Sequence, residues 1–298
     1  MTALENKIDF MLIFTVHNAN PNGDPLNGNR PRQDYSGRGE VSDVCLKRKI
    51  RNRFMDIGQS VYVQSDDKNE DGHTSLRKRF DAFIEESGTN IAKKQEVTDK
   101  ACSKWIDVRA FGQLFALKKS ASKKGKEKET DGDDNSVSIG IRGPVSIQSA
   151  FSISPISITS LQITKSTSSE GDGSKRSSDT MGMKYRVDCG TYVTYGSINT
   201  VLAKKTGFSS DDAERLKEAL ISLFENDMSS ARPEGTMAVK KLYWWKHNSP
   251  NGQYSSSTVH GSVKLEPKTE VADPCKFEDY DIIETTLEGL KPEIFGPF

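Results

Sequence analysis

The clearest alternation of apolar and polar positions lies near the start of the chain. Ile8, Phe10, Leu12, Phe14 and Val16 fall on one face of an extended segment, the two-residue period of a buried strand. The stretch that follows is dense in Asn, Gly and Pro, which propagate neither a ladder nor a helix, so it predicts a loop. Ser42 and Asp43, both good N-cap types, then open a helix with Leu46, Ile50 and Phe54 on its buried side. Further on, Val61 to Gln64 reads as a short strand. Leu76, Phe80, Phe83 and Ile84 recur at helical spacing and stop before Gly88. Trp105 to Leu117 is apolar enough to be buried, as helix or as strand. Residues 118–136 form a lysine block followed by an acidic block and predict a disordered loop.

Beyond Ile139 the alternation is sustained again. Val145, Ile147, Ser149, Phe151 and Ile153 share one strand face, with Ser146, Gln148, Ala150, Ser152 and Ser154 on the other. Ile156, Ile158, Leu161 and Ile163 continue the extended pattern past Pro155. A long Ser- and Gly-rich excursion follows, which predicts a projecting hairpin with Met181 and Met183 at its return end. Tyr185 to Ile198 reads as a long strand. Ser209 and Asp212 start a helix whose stripe is Ala213, Leu216, Leu220, Leu223 and Phe224. Thr236 to His247 and Val259 to Leu265 are the last predicted strands. With insertions removed, the order is β-α-β-β-α-β, an α+β class and the ferredoxin-like arrangement of RNA-recognition modules.

Composition changes this picture only in places. The 298 residues carry 42 basic and 42 acidic side chains, and the mean hydropathy of −0.63 suits a polar chain with no membrane span or signal peptide, hence a cytoplasmic one. Although the net charge is zero, its distribution is uneven. Basic residues crowd Arg30 to Arg53, whereas residues 266–298 form an acidic segment, so one face suits a polyanion and another a basic partner. Cys45, Cys102, Cys189 and Cys275 are scattered, as are the four histidines, which predicts reduced thiols and neither a metal site nor a cofactor.

The residues also carry a resemblance. HNANPNGDPLNGNRPR, GPVSIQSAFSISPISIT, TMGMKYRVDCGTY, TGFSSDDAERL and NDMSSARPEG leading into KKLYWWKH occur in one order over most of the chain. Together they resemble the CRISPR-associated backbone subunits (RAMP superfamily) of type I Cascade complexes, especially the type I-C branch. That resemblance implies a single RRM-like domain over residues 1–298, with a palm, a finger-like insertion at 55–138 and a thumb hairpin at 163–184. It implies a non-catalytic subunit that lines up in copies along CRISPR RNA and leaves the guide free to pair with target DNA. The partners it implies are the large subunit, the guide-RNA-processing end subunit and a recruited helicase-nuclease.

On that reading Asn18, Asn20, Asn22 and Gly23 offer amides to sugar and phosphate, and Arg30 and Arg32 pair with phosphate. Ser42, Lys47, Arg48 and Arg51 would hold the backbone from the first helix. Arg142, Lys184 and Arg186 are further RNA contacts, weighed against ordinary turn and hairpin roles. Met181 and Met183 are the thumb wedge, since apolar side chains replace lost base stacking. Trp244 and Trp245 face opposite sides of a strand, and packing is their expected role. An alternative is an endoribonuclease that processes repeat RNA with His17 as general base; Asp24 as a metal ligand is a weaker idea. A structural or turn role is the expectation for both residues.

Overall fold

The computed structural model describes residues 2–117, 137–164 and 181–296. The expected disordered loop at 118–136 and residues 165–180 of the expected thumb hairpin lie outside them. In chain order, β1 (Ile8–Ala19) leads to the short strands β2 (Gly23–Asp24) and β3 (Arg30–Pro31), then β4 (Arg38–Val41) and helix α1 (Asp43–Asp56). Helices α2 (Leu76–Ser87), α3 (Lys94–Lys104) and α4 (Ile106–Phe111) precede the hairpin β5 (Gly112–Leu117) and β6 (Val137–Arg142). Strands β7 (Val145–Ile147), β8 (Ala150–Pro155), β9 (Ile158–Thr164) and β10 (Met181–Ile198) follow, then helices α5 (Thr200–Thr206) and α6 (Ser210–Ile221). The chain ends with β11 (Met237–Lys246), α7 (Ser256–Gly261), β12 (Val263–Pro267), β13 (Tyr280–Glu284) and β14 (Glu293–Phe295).

The central antiparallel sheet has the order β14-β11-β1-β10-β8-β4, with β7 and β9 also paired to β10. β1 sits in the middle, with Ile8 opposite Ile198 on one side and Lys246 on the other. Both of its faces are buried, as its unbroken apolar run requires. Phe10, Leu12 and Phe14 pack with Leu46, Ile50 and Phe54 of α1 and Leu216 and Leu220 of α6. Met11 and Ile13 pack on the opposite face with Tyr243, Trp245, Val259, Val263 and Leu290. Trp244 and Trp245 therefore fill the two cores, each about 1% exposed. The acidic segment 266–298 is a structural layer, since β13 and β14 and the buried Leu290 close the second face and one edge.

The segment between α1 and β7 carries a core of its own, in which Tyr62, Phe80, Phe83, Val97, Trp105, Val108, Phe115 and Ile139 cluster. Helix α4 fixes it to the helices on the central sheet. Asp107 receives Arg51 Nε of α1 at 3.0 Å, and Arg109 grips Asp212 of α6 through two hydrogen bonds at 3.0 and 2.8 Å.

Five expectations change. The Asn-, Gly- and Pro-rich stretch after β1 is not a loop throughout: β2 pairs with β3, and β4 joins the central sheet beside β8. Val61 to Gln64 is not a strand; the Asp107 carboxylate takes the amides of Tyr62 and Val63 that a ladder would have used. The alternation from Val145 breaks at Gln148 and Ser149, where Gln148 N bonds Tyr195 O and the Ser149 hydroxyl accepts from Asp43 N. Beyond that break Ala150 and Ser152 turn inward and Phe151 outward, since a one-residue shift swaps the faces. Val259 lies in a helix capped by Ser255 rather than in the strand that begins at Val263. Cys189 and Cys275 form a disulfide with Cα atoms 5.5 Å apart. Their 86-residue separation hides a proximity made by the fold, so only Cys45 and Cys102 are free. Among the described residues no helix is long and apolar enough to cross a membrane.

Candidate functional site

Three segments meet at the end of the sheet where β1 runs out. The first is the loop after β1, held in shape by its own polar side chains. Asn20 Nδ2 donates to Asn29 O at 2.7 Å, and Asn22 Oδ1 accepts from both the amide and the hydroxyl of Ser42 at 2.9 Å. Asp24 caps the turn at residues 25–27 and pairs with Arg32 at 3.4 Å, so a turn role is what the structure gives it. Gly23 has no room for a side chain: a Cβ there would stand 1.9 Å from Asn29 Oδ1. Asn18 is exposed in the left-handed region, at φ 50°.

The second segment is the β9–β10 ladder, where the thumb is expected. β9 and β10 pair from Met181–Thr164 to Val187–Ile158, so the arms of the expected hairpin are present. Met181 and Met183 are 62% and 50% exposed, beside exposed Leu161 and Ile163. Arg30 stacks on the Tyr185 ring at 5.4 Å. Lys184 donates to the carbonyl of Ser230, an acceptor that leaves its charge unneutralised, and Arg186 lies 3.7 Å from Asp188.

The third segment is the turn before β11. Ser229 and Arg232 bond each other through their backbones, Ala231 O accepts from Asn20 N, and Thr236 O accepts from His17 N. Arg232 and the buried Lys49 of α1 both hold Asp227. Burial lowers the Lys49 pKa, against the pull of Asp227. Burial raises that of the Cys45 thiol, which feels Lys49, Arg232, Asp227 and Arg32 together.

Helix α1 departs from the expected clamp. Ser42 caps the helix through Cys45 N, and Lys47 pairs with Asp43 at 3.0 Å. Arg48 donates to Val63 O at 2.7 Å, and Arg51 is sealed against Asp107 and stacked over Phe111. Arg48 and Arg51 tie α1 to the segment that follows it instead of lying open to solvent, while Lys47 pairs within its own helix. Arg142 is exposed at the end of β6 and His17 at the end of β1. Sequence reasoning missed Tyr185, Lys49, Asp107, Asp227 and Arg232; one available signal was a carboxylate, Asp107, inside an apolar run. Among the described residues no group of three or more His, Cys, Asp or Glu is placed to hold a metal.

Arg30 and Lys184, which have no carboxylate partner among the described residues, thus share one rim with left-handed Asn and Gly backbone and exposed methionines. Such a surface suits a sugar–phosphate chain with bases turned outward. A CRISPR-associated protein Cas7 from Haloferax volcanii is 26% identical over 238 residues, which cover 77% of this chain and 67% of that protein. Two solved structures are also similar. A chain of a CRISPR RNA-guided surveillance complex, pre-nicking, has TM-score 0.45 and 13% identity, covering 80% of this chain and 78% of that one. A chain of a CRISPR RNA-guided surveillance complex has TM-score 0.41 and 15% identity, covering 80% and 68%. The family described as CRISPR-associated protein Cas7 matches residues 6–285, and the chain therefore belongs to the Cas7 family.

Proposed function

We propose that this protein is a non-catalytic backbone subunit of a CRISPR surveillance complex of the type I-C branch. It holds CRISPR RNA by the phosphate backbone at the rim described above and leaves the bases to pair with target DNA. The palm is ferredoxin-like on this reading, which the order β11-β1-β10-β8 supports, with α1 and α6 on one face. Further copies, the large subunit, the guide-RNA-processing end subunit and a helicase-nuclease are its partners. The observation that carries the reading is the convergence of the Asn- and Gly-rich loop, the thumb base and the turn at Ser229–Arg232 on one rim. The contacts proposed there are Arg30, Arg32, Asn18, Lys184 and Arg186, with Met181 and Met183 as the wedge. The test is a titration of single-stranded RNA into purified protein over a range of salt. Binding that is insensitive to sequence and falls steeply with salt is expected; salt-independent binding, or none, overturns the proposal. A second reading, an endoribonuclease, is favoured only by the exposed imidazole of His17 on the same rim. It requires cleavage of repeat RNA that His17→Ala abolishes.

A further inference from the structure

The ion cluster behind the rim has no counterpart in the binding chemistry proposed above. Asp227 lies between two cations, with Lys49 reaching it from α1 and Arg232 from across its own turn at 3.1 Å. Lys49 is 3% exposed and Asp227 is 12% exposed, so neither faces a ligand. What the cluster holds is a turn. Asp227 follows Asn226, whose φ of 58° bends the chain out of α6, and the reciprocal Ser229–Arg232 bonds close the loop. The two carbonyls inside it each grip a different element of the rim: Ser230 O takes Lys184 Nζ at 2.7 Å, and Ala231 O takes Asn20 N at 2.9 Å.

We propose that Asp227 is a positioning residue: by locking the turn to α1 through Lys49 and Arg232, it sets the separation between the loop after β1 and the thumb base, and so the RNA-holding geometry. This rests on the RNA-binding reading. A carboxylate suits the task because one buried acid binding two cations from different elements fixes their relative placement, and its removal frees both. The cluster keeps one positive charge in excess, in keeping with a rim meant for an anion.

The test uses the full chain with Lys49→Met and Asp227→Leu combined, an apolar pair of similar volume that restores packing without the directional bonds. Three readouts are taken: the melting temperature, hydrogen exchange of the peptide containing Asn20, and affinity for a labelled single-stranded RNA against salt. The expected result is a melting temperature near that of the unaltered protein, lost protection at Asn20, and RNA binding weakened roughly tenfold with an unchanged salt slope. Unaltered protection and affinity would make the cluster purely structural. A shallower salt slope would mean that one of its cations meets phosphate directly, and either result overturns the proposal. Should the double variant not fold, Arg232→Ala removes only the outer cation and is held to the same outcomes. If the unaltered protein binds no RNA, the binding reading fails by itself, while the exchange measurement still reports whether Asp227 sets the turn.

Discussion

Replacing Arg51 with Met separates a structural role from a phosphate contact. The Asp107 carboxylate is 1% exposed and has three donors: Arg51 Nε at 3.0 Å, Tyr62 N at 2.7 Å and Val63 N at 3.1 Å. Methionine keeps an apolar stem over Phe111 but leaves the carboxylate without its counter-charge. Breaking a buried pair costs about 3–5 kcal/mol. The two remaining amides still solvate the acid, each such bond contributing about 1.5–3 kcal/mol in the intact site, so the lower end, about 3 kcal/mol, is expected. The assay is urea unfolding followed by a probe in the finger, where Trp105 packs against Tyr62 and Phe83. The midpoint should fall with the slope preserved. In parallel, the salt dependence of RNA binding should keep its slope, because Arg51 neutralises an acid of its own chain. A loss under about 1 kcal/mol, together with a slope smaller by about 0.7, the share of one single-strand phosphate, would refute the assignment and return Arg51 to the RNA.

Other outcomes follow from the same geometry. Arg30→Ala and Lys184→Ala should each lower the salt slope by about 0.7 and weaken all RNA sequences alike, with little effect on the melting temperature; sequence-selective loss would contradict backbone holding. Cys189→Ser should destabilise the oxidised protein by about 2–4 kcal/mol and leave the fully reduced protein unchanged, as read by denaturant midpoints with and without a dithiol reductant. Burial pushes the Asp212 carboxyl up, but hydrogen bonds from Arg109 and Ser209 bring it net below the usual carboxylate range. Its contribution is therefore whole above the ordinary Asp value near pH 4 and is lost as the pH falls through the depressed one. Asp212→Asn should flatten the acid limb of a stability profile, and an unchanged limb would dismiss the pair.

How much the sequence revealed depended on the range of the cause. Ser42 and Ser209 cap their helices where local pattern put them, because capping is settled within three residues. β1, β10 and β11 were legible because central strands need long apolar runs. The face of β8 was not, since the break at Gln148–Ser149 depends on bonds to Tyr195 and Asp43, distant in the chain. The same holds for the helix α1 cations. Lys47, Arg48 and Arg51 look like one solvated stripe until Val63 takes Arg48 and Asp107, 56 residues away, takes Arg51. The Cys189–Cys275 bond and the Asp227 cluster are likewise products of the assembled fold. The stretch from Asn18 to Arg32 was legible as polar and turn-rich, but its short ladder and its bonds to Ser42 and Ala231 are again made by the assembled fold.

One consequence of the layer formed by α7, β12, β13 and Leu290 concerns what this protein is able to ignore. In an open four-stranded RNA-recognition sheet, exposed aromatics offer bases a flat bed and read them by stacking. Here that bed is upholstered: Tyr243 and Trp245 lie under Val259, Val263 and Leu290, and the opposite face lies under helices. Over these residues the sheet offers a nucleobase no bed, and on the proposed reading a strand follows the rim instead. A rim grips sugars and phosphates, which are the same for every letter. On the proposed reading the covered sheet leaves most letters unread, a useful property in a holder whose cargo differs from one guide to the next.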